Sequence, residues 1–179
     1  MDIYKLNFTI LEQKIFSYLC LTVRDRLSQR DIAKELNVSP TAVANSLQKL
    51  VKENLVRVEK TKTINFVSFN RDERKAVELK RIENLKNMYL SGLSSFLESE
   101  LPGCTIILFG SYSKGEDIES SDIDIAVIDR KDKMLSLERY EKVMKRKINI
   151  NFYDSWKDIH KHLRNNILNG ILLHGGVEL

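Results

Sequence analysis

Residues 104–129 read CTIILFGSYSKGEDIESSDIDIAVID, and this stretch decides how the C-terminal half of the chain is built. The apolar run from Cys104 to Phe109 has the length of a buried strand and stops at Gly110-Ser111. A polar loop carrying Lys114 and Gly115 follows, and Ser121 to Ile128 reads as a second strand. Strand alternation puts Asp122 and Asp124 on one face, with Ile123, Ile125 and Val127 on the other. Two carboxylates two residues apart repel each other and are poor strand formers. A divalent cation between them and a ligand accounts for the pair.

Gly110-Ser111 supplies the other half of such a site. Glycine lets the backbone approach a ligand closely, and the serine with its following N–H groups can hold phosphate oxygens. Hard oxygen donors suit Mg²⁺, which binds through one or two carboxylates plus substrate phosphates. An apolar strand, Gly110-Ser111, then Asp122-x-Asp124 on a second strand resembles the signature of the polymerase-β-type nucleotidyltransferases. It is closest to their minimal members, which pair with HEPN-type proteins in prokaryotic toxin–antitoxin modules. The resemblance implies Mg²⁺ on Asp122 and Asp124, with a two-metal arrangement left open. It also implies a nucleoside triphosphate held by Gly110, Ser111 and Lys114, and transfer of a nucleoside monophosphate, AMP from ATP, to a protein or small-molecule hydroxyl.

Downstream, the sequence predicts a helix from about Leu135 to Lys145, a strand over 147–152, a helix from Ser155 to Leu168 and a closing strand over 171–174. Active members of the superfamily place a third carboxylate on the strand after the helix. Here that place falls on Asn149, which shares a face with Asn151. An amide can accept a hydrogen bond or ligate a metal weakly, but it cannot take a proton from an attacking hydroxyl. Asp154 would serve only in a different register. Two readings stay open: a transferase slowed but not stopped by Asn149, or a domain that binds nucleotide or partner without transfer.

Composition bounds the rest. Hydrophobic residues at 42% and charged residues at 30% describe a globular chain, and 179 residues give room for one large or two small domains. No apolar run reaches the length of a membrane span and no signal-peptide pattern opens the chain, so a cytoplasmic protein is expected. Cys20 and Cys104 are too few for a disulfide framework and read as core. His160, His162 and His174 lack metal-ligand spacing and read as surface or helix residues. Residues 1–71 hold twelve Lys and Arg against seven Asp and Glu, and the remainder is nearly balanced. That excess points to a polyanion bound by the first third.

The first third has the pattern to do so. Ile10, Leu11, Ile15, Phe16, Tyr18 and Leu19 form a helical stripe over 9–22. Ser28-Gln29-Arg30-Asp31 matches a capping box and opens a second helix with Ile32, Ala33 and Leu36. Ser39-Pro40 restarts a helix after an Asn37-Val38 turn, with Val43, Leu47, Leu50 and Val51 toward the core. Residues 55–59 and 63–69 then read as two strands around a basic tip, 60–62. The phrase LSQRDIAKELNVSPTAVANSLQKLVKENLVRV resembles a winged helix-turn-helix. In that family the recognition helix enters the major groove, which implies DNA contacts from Ser39, Thr41, Ala42, Asn45, Gln48 and Lys49, and phosphate contacts from Lys60 and Lys62. Such domains also serve as protein-docking modules.

From Arg71 to Glu100 the chain reads as a long connector helix stopped by Pro102-Gly103, with an apolar stripe at Leu79, Ile82, Leu85, Tyr89, Leu93 and Phe96 and a bend marked by Gly92. Its first half is expected to pack on the winged domain or a second subunit, and a homodimer through this helix is one expectation. The fold class is therefore α+β. A winged helix-turn-helix occupies 1–70, a connector helix 71–100, and a small mixed-sheet nucleotidyltransferase domain 101–179 with helices on one side. The functions in play are an antitoxin-like enzyme that modifies a HEPN-type toxin, and a DNA-binding regulator whose second domain only binds nucleotide or partner.

Overall fold

The computed structural model describes residues 7–23 and 26–177. The chain divides into two compact units, Met1–Lys80 and Arg81–Leu179. No helix among the described residues is long and apolar enough to cross a membrane.

In the first unit, α1 (Ile10–Leu21) starts at Thr9, whose hydroxyl accepts the Glu12 N–H while the Glu12 carboxylate accepts the Thr9 N–H. A two-residue strand, β1 (Leu27–Ser28), leads into α2 (Gln29–Glu35). Ser28 and Asp31 form the expected capping box at its start. Asn37, at a φ of 52°, turns the chain, and Ser39 caps α3 (Pro40–Lys52) through the Ala42 N–H. The helices bury Ile15, Phe16 and Leu19, then Ile32, then Val43, Leu47 and Leu50, against Val67 and Phe69 of the sheet. That sheet pairs β2 (Val56–Lys60) with β3 (Asn65–Phe69), all antiparallel.

Three expectations for this unit change. The wing has three strands, because β1 pairs with β3 on the side away from β2. Two residues gave no periodic signal for that pairing. Ile10 is 77% exposed, at the first position of α1, where one turn of helix shields nothing on that side. Val51 is 39% exposed, because the buried face of α3 already ends at Leu50.

The connector is not one helix. α4 (Arg74–Leu90) ends at Ser91-Gly92, and α5 (Leu93–Glu100) begins after Gly92 at a φ of 78°. The division between the two compact units falls inside α4. Its buried face is also not the expected stripe. Ala76, Lys80, Asn84 and Met88 are buried at a spacing of four, with Glu83 beside them, while Ile82 and Tyr89 are more than half exposed. The polar residues tolerate burial because they find partners: the Lys80 ammonium lies 5.9 Å from the Phe69 ring centroid, and Asn84 donates two hydrogen bonds.

In the second unit the sheet runs in the order β6-β5-β4-β7. β4 (Thr105–Phe109) lies antiparallel to β5 (Ile123–Ile128) and to β7 (Ile171–His174), and β5 runs parallel to β6 (Ile148–Tyr153). Between them come α6 (Gly110–Lys114), α7 (Glu138–Met144) and α8 (Lys161–Leu168). One face of the sheet, with Ile106, Leu108, Ile125 and Val127, packs on Leu97 of α5, Tyr112 of α6 and Tyr140 of α7. The other, with Ile107, Phe109, Ala126 and Ile128, packs on Trp156, Ile159 and Ile167.

Helices therefore cover both faces, not one, because the successive side chains of β4 and β5 are apolar on either side and each face needs a cover. The expected 155–168 helix is split into a 3₁₀ turn, Trp156–Asp158, and α8, with extended backbone at Ile159 between them. The expected 135–145 helix is shorter, and the residues after Gly110 form a helical turn and not a loop. Cys20 and Cys104 are buried free thiols. His160 and His162 are exposed, and His174 faces Glu98 at 3.3 Å.

Leu47 and Val51 separate the buried from the exposed side of α3. Leu47→Ala should cost about 2–5 kcal/mol of stability by the loss of a filled core position, and Val51→Ala no more than about 0.5 kcal/mol, both read by urea unfolding of the full chain.

Candidate functional site

The carboxylate site is assembled by the register of three adjacent strands. Antiparallel pairing sets Phe109 opposite Asp124, and parallel pairing sets Asn149 on the other side of Asp124. The chain leaves β4 at Gly110 with a φ of 75°, a left-handed conformation that glycine adopts without strain. A Cβ on Gly110 would lie 2.6 Å from Asp124 Oδ2, so the backbone passes directly over the carboxylate. Ser111 follows in the first turn of α6, half-buried, and Lys114 ends that helix, exposed. The turn and Asp124 meet at one corner of the sheet.

Asp122 sits one residue before the strand and is exposed, while Asp124 is half-buried. The Asn149 amide donates from Nδ2 to Asp122 Oδ2 at 3.0 Å. Burial pushes the Asp124 carboxyl above the usual carboxylate range. A hydrogen bond from Asn149 pulls it back, and the Asp122 charge pushes it further up. A half-buried carboxylate beside a like charge is a place where a cation lowers the energy of the ionised form. Among the described residues, no group of three or more His, Cys, Asp or Glu is placed to hold a metal ion. The donor set is two carboxylates, with the Asn149 amide presenting its N–H to them, and it suits a Mg²⁺ whose remaining ligands are phosphate and water.

Asp154 is removed as an alternative third acid. It follows Tyr153, which pairs with Ile128 at the far end of β5, about 16 Å along the strand from Asn149. A pocket of about 330 Å³ opens on the β6 side of Asp122, lined by residues 119–122, Glu141 and residues 145–147. Sequence reading did not find this pocket, because its walls come from a loop and from the turn between α7 and β6.

The proposed DNA-reading residues are placed unequally. Ser39, Thr41, Asn45 and Gln48 are exposed, and Ala42 is half-buried. The Ser39 hydroxyl is committed to capping α3. Lys49 turns toward the N-terminal segment: its ammonium donates to the Asn7 carbonyl, lies 3.8 Å from Glu12 Oε2, and sits 5.3 Å from the Phe8 ring centroid. Lys60 and Lys62 are exposed on the wing, whose tip is closed by the Thr61 hydroxyl and the backbone of Ile64.

Asp124 generates a prediction for the metal-free protein. Its folded pKa is raised, so its ionisation opposes folding. The penalty is absent below the ordinary carboxylate value, grows as pH rises through the folded value, and is complete above it. Asp124→Asn should therefore melt with wild type in acid and above it at neutral pH, in thermal scans with chelator present. Gly110→Val should be destabilised at every pH, since it adds atoms where Asp124 already stands.

Residues 93–176 match the family model described as Polymerase beta, Nucleotidyltransferase, and residues 11–57 match the model described as Winged helix-turn-helix DNA-binding. No curated protein and no solved structure matches the chain. The first match spans the sheet, Gly110-Ser111, the two carboxylates and Asn149, and the second spans α1 to the start of β2. The chain thus joins a winged helix-turn-helix domain of the DNA-binding kind to a nucleotidyltransferase domain of the polymerase-β kind.

Proposed function

We propose that the C-terminal domain transfers AMP from ATP to a hydroxyl of a protein or small molecule, while the winged helix holds DNA. The observation that carries this reading is the passage of the Gly110 backbone over Asp124, with Asp122 and Asn149 alongside. Gly110 and Ser111 bind the outer phosphates, and Lys114 adds a positive charge to that side. Asp122 and Asp124 would hold Mg²⁺, which supplies charge neutralisation for the phosphates when bound. The acceptor hydroxyl forms the new bond to the α-phosphorus as the bond to pyrophosphate breaks. Its proton passes to water, since the Asn149 amide cannot take one.

In-line displacement needs the attacking and leaving oxygens on opposite sides of phosphorus. With the outer phosphates on the β4 side, the acceptor comes from the β6 side, where the pocket beside Asp122 opens. Most of the rate in such chemistry comes from positioning and charge stabilisation, so a missing base slows transfer without ending it. The resemblance to minimal nucleotidyltransferases favours a HEPN-type toxin as the acceptor and an antitoxin as the role. On the DNA side, Thr41, Asn45 and Gln48 read base edges and Lys60 and Lys62 meet phosphates. Lys49 contributes little, because its ammonium is already engaged.

One observation favours a second reading. The Asn149 amide donates to Asp122, so the metal-free site is already quieted by a neutral partner. That suits a domain that binds nucleotide and regulates without transferring it.

Labelled ATP with Mg²⁺ and candidate acceptors separates the two. Wild type should transfer label, and Asp122→Ala/Asp124→Ala should not; equal labelling by both sinks the enzyme reading. Asn149→Asp should raise transfer or Mg²⁺ affinity by restoring charge. DNA affinity should fall steeply with salt, and Lys60→Ala and Lys62→Ala should each reduce the salt slope by about one, while Lys49→Ala leaves it nearly unchanged.

A further inference from the structure

Next to α6 lies a set of buried polar side chains to which the transfer reading gives no individual role, although one of them, Arg146, also lines the pocket beside Asp122. Asn84, on α4, is 1% exposed and donates from Nδ2 to the Tyr112 carbonyl at 2.9 Å and to Asp117 Oδ1 at 2.7 Å. Asp117, in the loop after α6, is 2% exposed, and its Oδ2 accepts from Arg146 Nη2 at 3.3 Å. Arg146, 5% exposed, also donates from Nη1 to the Glu119 carbonyl at 3.0 Å and to the Lys145 carbonyl at 3.3 Å.

Stability alone does not ask for such a set. A buried ion pair recovers its desolvation cost only in good geometry, and apolar side chains of similar volume are often as stable. What the set does is tie together the segments that must converge. Tyr112 is two residues after Gly110, Asp117 and Glu119 lie in the loop that delivers Asp122, and Arg146 is three residues before Asn149. Directional hydrogen bonds fix those segments at defined separations, which apolar contacts of the same volume do not.

We propose that Asn84, Asp117 and Arg146 are positioning residues that hold the Gly110-Ser111 turn and the 115–122 loop in place against Asn149. Nucleotide affinity then depends on side chains that touch no nucleotide. This inference rests on the reading of Gly110-Ser111 as the phosphate-holding turn.

The test uses the full chain as wild type, Asn84→Ala, and Asp117→Leu/Arg146→Met. Three quantities are read for each: the melting temperature, the Kd for a fluorescent ATP analogue with Mg²⁺, and amide hydrogen exchange over 110–119. The double variant should melt close to wild type, yet both variants should bind the analogue at least about tenfold more weakly. Their 110–119 amides should exchange at least about tenfold faster while β5 and β6 exchange as before. Folded variants with wild-type Kd and wild-type exchange would overturn the proposal. So would a double variant that no longer folds, since the set would then serve stability. If wild type binds no analogue, the nucleotide reading fails, and the exchange measurement still decides whether these residues hold the turn.

Discussion

The second unit depends on the close approach of Gly110 to Asp124. Because β4 and β5 are paired with Phe109 opposite Asp124, the chain leaving β4 must cross the carboxylate, and only a residue without a side chain fits. That one steric fact brings backbone N–H groups and an acidic side chain to the same corner. The proposed metal–triphosphate site rests on that juxtaposition of turn and carboxylate. The cost is a half-buried carboxylate beside a second one, visible in the raised proton affinity of Asp124. Apolar packing on both faces of the sheet offsets it.

Asn149 modifies this site in a definite direction. It stands in register with Asp124 on the neighbouring strand and donates to Asp122, so it relieves repulsion where a third carboxylate would add to it. An amide at this position brings neither a base nor a negative charge to the two carboxylates. Chemistry that relies on alignment and charge neutralisation survives such a change better than chemistry that relies on proton abstraction.

The winged helix shows the difference between having a lysine and presenting one. Lys49 lies on the recognition helix, yet its ammonium is directed at Glu12, the Asn7 carbonyl and the Phe8 ring. The wing lysines Lys60 and Lys62 are held out by a tip that Thr61 and Ile64 close on themselves. Of the three lysines read as DNA contacts, Lys60 and Lys62 are thus exposed on the wing, while Lys49 on α3 is engaged within the domain.

Much of this was written locally in the sequence. Ser28 with Asp31 and Ser39 with Pro40 marked helix starts through bonds that span three residues, and the alternation of residues 123–128 marked the strand that carries Asp124. The family resemblance singled out Asn149, and the strand register sets it beside Asp124. Other features were decided only by the tertiary structure. β1 is two residues long and is a strand only because β3 lies next to it. Ile82 and Tyr89 continued an apolar period but face outward, while Lys80 and Asn84 are buried. The pocket beside Asp122 and the set of Asn84, Asp117 and Arg146 likewise have no local pattern. The physical reason is range: caps and periods depend on neighbours within a turn or two, whereas a polar side chain is buried or exposed according to partners such as Asp117, thirty-three residues from Asn84.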